Sequence, residues 1–153
     1  EIAIRTTGQV LTTGNGDVST DGHIGTLGID TGNGDIDIDG DVGDMMISSG
    51  NGEIDADVTP LASSEWQIQT GNHEVTLRIK EDAGKGYDIT AMTGNGDITF
   101  DTQETTPTGQ SGYGSAQEKT TGYEARAIQV EVNVFTGNGD IDIRSDSAQS
   151  ATY

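Results

Sequence analysis

Acidic residues recur at fixed positions along this chain, and they are the residues whose type and spacing could support chemistry. The largest set occupies the fifth position of a repeated motif and comprises Asp17, Asp35, Glu53, Glu74, Asp97 and Asp140. Two further sets comprise Asp37 with Asp55, and Asp21 with Asp39 and Asp57. Carboxylate oxygens are ligands that Ca²⁺ prefers, and a pair of carboxylates is also the catalytic unit of most glycosidases. Which chemistry is available depends on how the repeats place these side chains.

The motif that carries the acids reads Thr-Gly-Asn-Gly-acid-aliphatic and recurs about every 20 residues over most of the chain. TGNGDV begins at Thr13, TGNGDI at Thr31, Thr93 and Thr136, SGNGEI at Ser49 and TGNHEV at Thr70. A period of this length is typical of solenoid proteins, in which no single repeat can bury its own apolar face. The repeats are therefore expected to stack on one another.

Apolar and polar residues alternate on both sides of each motif. Aliphatic pairs such as Ile36 with Ile38, and Ile141 with Ile143, lie five and seven residues after a motif start. A period of two in short segments bounded by Gly and Asn predicts β-strands, and a helical period is missing. We predict an all-β fold: a single domain over residues 1–153, built as a parallel β-solenoid (β-helix) of about six to seven coils of about 18 to 23 residues.

The Thr-Gly-Asn-Gly segments are expected to form the corners of the coils. Glycine at the second and fourth positions fits a tight turn with positive φ, and the Asn between them tolerates the left-handed region. The Asn side chains can also stack from coil to coil as an amide ladder. His73 replaces the second glycine of one motif, so we expect that corner to be distorted.

The segment from Asp101 to Ala125 departs from the pattern. It is rich in Thr, Gly, Gln and Ser, and the apolar alternation resumes only at Ile128. Such a composition predicts a loop or arm inserted at about residues 101–125. A degenerate extra coil is the alternative, because the interval between the motifs at Thr93 and Thr136 is close to two coils.

Composition excludes several classes of protein. Seven Lys and Arg stand against 26 Asp and Glu, a net charge of −19, so binding to a nucleic-acid backbone is not expected. There is no cysteine for a disulfide or thiolate metal site. No apolar run is long enough to predict a transmembrane helix. The first residue is Glu1 and not Met, which is compatible with removal of a signal or pro-segment.

The repeated TGNGD-I-D-I pattern resembles the adhesin-like domains of bacterial and archaeal surface proteins, a family of unknown function with a Gly-x-Gly-acid-aliphatic corner. The resemblance covers nearly the whole chain. It implies a right-handed parallel β-solenoid, an extracellular or cell-surface location and no enzymatic activity. The family supplies no catalytic residues to carry over.

Stacked coils would bring the acids of each set about 4.8 Å apart. Two like charges at that distance repel by about 0.9 kcal/mol in water. No cofactor is required, but Ca²⁺ would relieve this repulsion, and its candidate ligands are Asp35, Asp37, Glu53, Asp55, Asp97 and Asp140. The alternative is a solvated acidic surface without specific metal.

An enzyme is the least favoured class. A glycosidase needs one acid pair in a cleft with pKa values pushed apart, whereas every acid here belongs to a repeating set. His23 and His73 lie at unrelated offsets with no nucleophile motif nearby, so both are interpreted as surface residues.

We predict a non-enzymatic extracellular structural protein that assembles head-to-tail into a filament or surface layer. The incomplete coil with Ile2 and Ile4 would continue the column ending at Ile141 and Ile143, since neither end carries a recognisable cap. Tyr113 and Tyr123 in the arm are candidate anchors on the neighbouring copy. The partner would then be the chain itself. The alternative is a monomeric adhesin-like module that binds glycans, other cell-surface polymers or divalent cations through its acidic outer face.

Overall fold

A computed structural model describes residues 2–3, 8–81, 83–103, 105–107 and 114–147, with the backbone alone for 2–3 and 146–147. Most of these residues lie in β-strands, as predicted. The strands are β1 (Ile2–Ala3), β2 (Gln9–Thr13), β3 (Val18–Thr31), β4 (Ile36–Ser49), β5 (Ile54–Pro60), β6 (Ser64–Thr70), β7 (Val75–Glu81), β8 (Lys85–Thr93), β9 (Ile98–Asp101), β10 (Thr105–Pro107), β11 (Ser115–Thr120), β12 (Ile128–Thr136) and β13 (Ile141–Ser147). One 3₁₀ turn covers Tyr123–Ala125.

The 13 strands form one curled sheet in which most neighbours are parallel. Half A consists of β1 and the strands that follow a corner, in the order β1, β3, β4, β5, β7, β13, β9. Half B consists of the strands that precede a corner, with β11 and β10 added at one end, in the order β2, β3, β4, β6, β12, β8, β11, β10. The long strands β3 and β4 bend and contribute to both halves.

The order of the strands in space differs from their order in the chain. β12 lies between β6 and β8, and β13 lies between β7 and β9. The last motif of the sequence, at Thr136, is therefore inserted between the motifs at Thr70 and Thr93. The prediction that Ile141 and Ile143 end the stack is wrong, because both lie fully buried between neighbouring strands.

A single apolar core lies between the two halves. Half A contributes alternate residues such as Ile36 and Ile38, and half B contributes Met45 and Ile47, all with at most 2% of their surface exposed. Burial of a side chain of this size contributes about 1.5–3 kcal/mol. Trp66 is also buried, and its indole N–H donates to the Gly43 carbonyl at 2.7 Å, so its one polar atom is satisfied.

The corners are held by hydroxyl groups that point inward. The Thr70 hydroxyl donates to the Gly52 carbonyl at 2.8 Å, and Thr136 donates to the His73 carbonyl at 2.9 Å. Equivalent bonds run from Thr31, Ser49 and Thr93 to carbonyls of neighbouring corners. The His73 carbonyl thus accepts the same hydrogen bond as the carbonyl of a glycine at this position. The distortion that we expected at this corner does not affect this hydrogen bond.

The corner glycines are needed for a different reason from the one predicted. The glycines with positive φ in the described chain are Gly22, Gly40, Gly114 and Gly122, and none of these belongs to a Thr-Gly-Asn-Gly corner. A Cβ at Gly34 would instead overlap the Gly16 carbonyl of the neighbouring corner, and most other corner glycines lie equally close to a backbone carbonyl. The corner backbones therefore stack too closely for a side chain.

The predicted amide ladder is confirmed. Asn33 Nδ2 donates to Asn15 Oδ1 at 2.7 Å, and the same bond repeats through Asn51, Asn72, Asn138 and Asn95 at 2.5–2.7 Å. Every bond points the same way, from the amide of one corner to the carbonyl of the corner nearer Asn15. The ladder follows the spatial order of the corners, with Asn138 between Asn72 and Asn95.

The segment predicted as an arm or extra coil adds two antiparallel strands to half B. β11 pairs antiparallel with β8, and β10 pairs antiparallel with β11. The two strands of this segment therefore join the sheet, and neither of them repeats the parallel coil. They cover the free edge that β8 would otherwise present at one end of half B.

The direction of the ladder predicts different effects for two equivalent substitutions. In Asn15→Asp the new carboxylate still accepts from Asn33, so the free energy of unfolding should change by less than about 0.5 kcal/mol. In Asn138→Asp the donor to Asn72 is lost and two acceptors face each other, which should cost about 1–2 kcal/mol. Urea unfolding of both variants measures the difference, and equal losses would contradict the assigned direction.

Candidate functional site

The acids at the corners act first as hydrogen-bond acceptors. Asp17 Oδ1 accepts from the backbone N–H of Asp35 at 3.1 Å, and Asp35 Oδ1 accepts from Glu53 at 2.9 Å. Asp140 Oδ1 accepts from Asp97 at 2.8 Å. Each such bond satisfies a backbone N–H of the next corner, so these Asp side chains have a structural role.

Two acids of half A form ion pairs with arginines. Arg78 pairs with Asp55, and Arg144 pairs with Asp142. Hydrogen bonding to Asp142 raises the pKa of the Arg144 guanidinium above its ordinary value. His23 Nδ1 lies 2.8 Å from Asp41 Oδ2 and is largely exposed, as predicted for a surface residue.

The predicted calcium ligands are brought together only in part. Asp35, Asp37, Glu53 and Asp55 line one open groove of about 420 Å³ on half A, and Asp97 and Asp140 lie at corners farther along the stack. Among the described residues, no group of three or more Asp, Glu or His side chains is arranged so that it could hold a metal ion. Calcium binding by these six acids stays a prediction.

The outer surface of half B carries a second line of acids that the repeat did not reveal. Asp44, Glu65, Glu131 and Asp88 occupy neighbouring strands in that order, and we call them the half-B acidic column. Asp88 Oδ2 binds the Lys119 ammonium at 2.9 Å. Within the described chain, no lysine, arginine or histidine pairs with the other three.

Exposed apolar side chains lie beside this column. The large apolar residues that are exposed in the described chain are Val10, Met46, Leu61, Met92 and Phe135, and all but Leu61 lie on the outer surface of half B. Val10, Met46, Asp44 and Glu65 line a groove of about 390 Å³. We call the half-B acidic column with Val10, Met46, Met92 and Phe135 the half-B surface.

Side-chain amides on the same surface are oriented by the acids. Gln67 Nε2 donates to Glu65 at 2.6 Å, and Asn133 Nδ2 donates to Glu131 at 3.4 Å. A carboxylate can only accept, so the amide carbonyls of both residues must point away from it. The surface therefore presents hydrogen-bond acceptors.

Lys119 shows how this surface holds a cation. Its ammonium lies 2.9 Å from Asp88 Oδ2, 3.1 Å from Glu124 Oε1 and 4.3 Å from the centre of the Tyr123 ring. Hydrogen bonds to Asp88 and then to Glu124 raise the pKa of Lys119, while burial raises the pKa of the Tyr123 phenol.

The predicted assembly residues are dispersed. Ile141 and Ile143 lie in the core, and Tyr123 packs against Lys119 within its own chain. Ile4 and Tyr113 lie outside the described residues, as does the side chain of Ile2. The half-B surface was not predicted because its residues do not belong to the repeated motif. The alternation of polar and apolar residues in β4, β6 and β12 does indicate that their side chains point outward.

Comparison with known proteins decides the family. Residues 4–144 match the Toastrack family, DUF4097. The chain belongs to this family. No protein of curated function matches it.

A solved structure shows the same fold. It is that of a candidate cell adhesion protein from Clostridium sporogenes, with a TM-score of 0.63 and 21% identity. The match covers 84% of this chain and 56% of that one, so the chain spans little more than half of that protein. In the part of this chain that the structure describes, no helix has the length and apolarity to cross a membrane.

The stacked acids predict a dependence on ionic strength. Raising NaCl from about 20 mM to about 500 mM should raise the melting temperature, because salt screens repulsion between carboxylates in neighbouring strands. Since no three described acids converge on one point, CaCl₂ and MgCl₂ at equal ionic strength should raise it equally. Differential scanning fluorimetry measures both shifts. A larger shift with calcium, already present at micromolar concentration, would instead establish a specific calcium site.

Proposed function

We propose that this chain is a non-catalytic adhesion module, a β-solenoid of six to seven coils that forms part of a larger extracellular or cell-surface protein. It binds its target through an outer face of the sheet. The observation that carries the proposal is the difference between the two outer surfaces. Half B exposes four large apolar side chains, Val10, Met46, Met92 and Phe135, whereas the described strands of half A expose none.

The geometry around the acids favours binding over catalysis. The corner acids repeat from strand to strand, and the partners of the described acids include backbone N–H groups, arginines, amides, His23 and Lys119. Glycoside hydrolysis needs two carboxyl groups with separated roles on opposite sides of one bond. The likeness to a candidate cell adhesion protein supports the same choice.

Head-to-tail assembly into a filament is less favoured than a single module. Continued stacking in half B would need a free parallel edge on β8, and the antiparallel strand β11 occupies that edge. The residues predicted to form the other contact, Ile141 and Ile143, lie inside the core. We therefore propose that the module acts as a monomer or as one unit of a longer chain.

Adhesion tests the proposal directly. Beads coated with the folded chain should adhere to cell surfaces, matrix proteins or immobilised glycans, and the free chain should compete with them. Mass spectrometry should find the bound target chemically unchanged. Beads coated with the chain after irreversible heat denaturation serve as the control. Absence of adhesion to every class of target, or conversion of a target into product, would contradict the proposed function.

A further inference from the structure

We propose that the half-B surface binds a basic, amphipathic segment of a partner protein. The inference rests on the proposed function and names the surface and the chemistry of its partner. Acids, exposed apolar side chains and free hydrogen-bond acceptors meet on this surface, and each selects the same kind of ligand.

The acids supply charge complementarity. Asp44, Glu65 and Glu131 follow one another across β4, β6 and β12, at the strand spacing of about 4.8 Å. No described cation pairs with any of them. Three adjacent carboxylates repel one another, and ammonium or guanidinium groups placed along them would remove that repulsion.

The apolar side chains supply the second half of an amphipathic site. Met46 is 62% exposed and Phe135 is 48% exposed, and both lie on strands that also carry the acids. The groove that contains Met46 is lined by Asp44 and Glu65 as well, so apolar and acidic contacts are available to one ligand. Methionine side chains adapt to varied apolar partners, and aromatic side chains are enriched at protein interfaces.

The amides select for a donor. Each amide already donates one hydrogen bond, from Gln67 to Glu65, from Asn133 to Glu131 and from Gln69 Nε2 to Ser48 Oγ at 3.3 Å. None of the three carbonyl oxygens accepts a hydrogen bond from a described residue. Peptide N–H, lysine and arginine groups are donors that fit these oxygens.

The chain itself places one such group at the end of the acidic column. Lys119 on β11 lies next to Asp88, and its ammonium contacts that carboxylate, Glu124 and the Tyr123 ring. The same column continues through Glu131 and Glu65 without a cation. Basic groups of a bound segment would pair with Glu131 and Glu65 in the way that Lys119 pairs with Asp88.

Other occupants fit less well. A second copy of this chain carries the same net charge of −19, so the two would repel. Nucleic acids and acidic polysaccharides would be repelled by the three acids. The hydroxyl groups of a neutral glycan can donate to the amide carbonyl oxygens, but they supply no positive charge to offset the three carboxylates.

Fluorescence anisotropy with two labelled peptides tests the proposal on the full chain. One peptide carries lysines along one side and leucines along the other, and the second has the same composition in scrambled order. The amphipathic peptide should bind more tightly. Glu65→Gln with Glu131→Gln should weaken its binding about tenfold, since two charge pairs are lost while the amide partners keep an acceptor. Met46→Ser with Phe135→Ser should also weaken it, with little change in salt dependence.

The matched control removes two charges from the opposite surface. Asp39→Asn with Asp57→Asn should change binding by less than about twofold, because both acids lie on neighbouring strands of half A. Equal weakening by the two pairs of variants would show diffuse attraction to a polyanion and overturn the proposal. Binding of a neutral oligosaccharide at this surface, in place of the peptide, would also overturn it. If beads coated with the chain adhere to a target but the chain does not bind the amphipathic peptide, this inference is overturned and the proposed function still holds.

Discussion

The close stacking of the corners is the constraint on which the rest of the structure depends. Each corner approaches the next until a Cβ at positions such as Gly34 or Gly52 would overlap a backbone carbonyl. That approach lets one Asn amide reach the next, lets the corner Thr reach a neighbouring carbonyl, and lets Asp35 cap the backbone of Glu53. The strands on either side then fall into register, with apolar residues inside and polar residues outside.

Register alone does not set the order of the repeats. All six corners carry nearly the same bonding groups, so the corner at Thr136 can stack between those at Thr70 and Thr93 as well as at an end. The antiparallel strands β10 and β11 return the chain to that position. As a consequence Glu131 lies next to Glu65, and Phe135 next to Gln69, although about 66 residues separate the members of each pair along the chain. The insertion is what brings Glu131 and Phe135 into the half-B surface.

The sequence was sufficient to predict the class of fold, the inward and outward residues and the amide ladder, because these follow from short-range spacing. Ile36, Ile38 and Asn33 are where the period places them. Nearly identical motifs carry no information about their spatial order, so the sequence could not predict that β12 and β13 are inserted between earlier strands. For this reason Ile143 was wrongly predicted to lie at the end of the stack. The insertion is also a second reason that the half-B surface was missed, because Glu131 and Asp88 join Asp44 and Glu65 in one column only when β12 lies between β6 and β8.

Engineered disulfides test the inserted order most directly, since the chain has no cysteine of its own. Gln69 and Phe135 are direct partners on β6 and β12, and Met92 is the partner of Phe135 on β8. Adjacent strands hold Cα atoms about 4.8 Å apart, within the range of a disulfide, whereas strands two apart do not. Under mild oxidation, Gln69→Cys with Phe135→Cys should form an intramolecular disulfide, and Gln69→Cys with Met92→Cys should not. The reverse result would place β8 beside β6 and contradict the account.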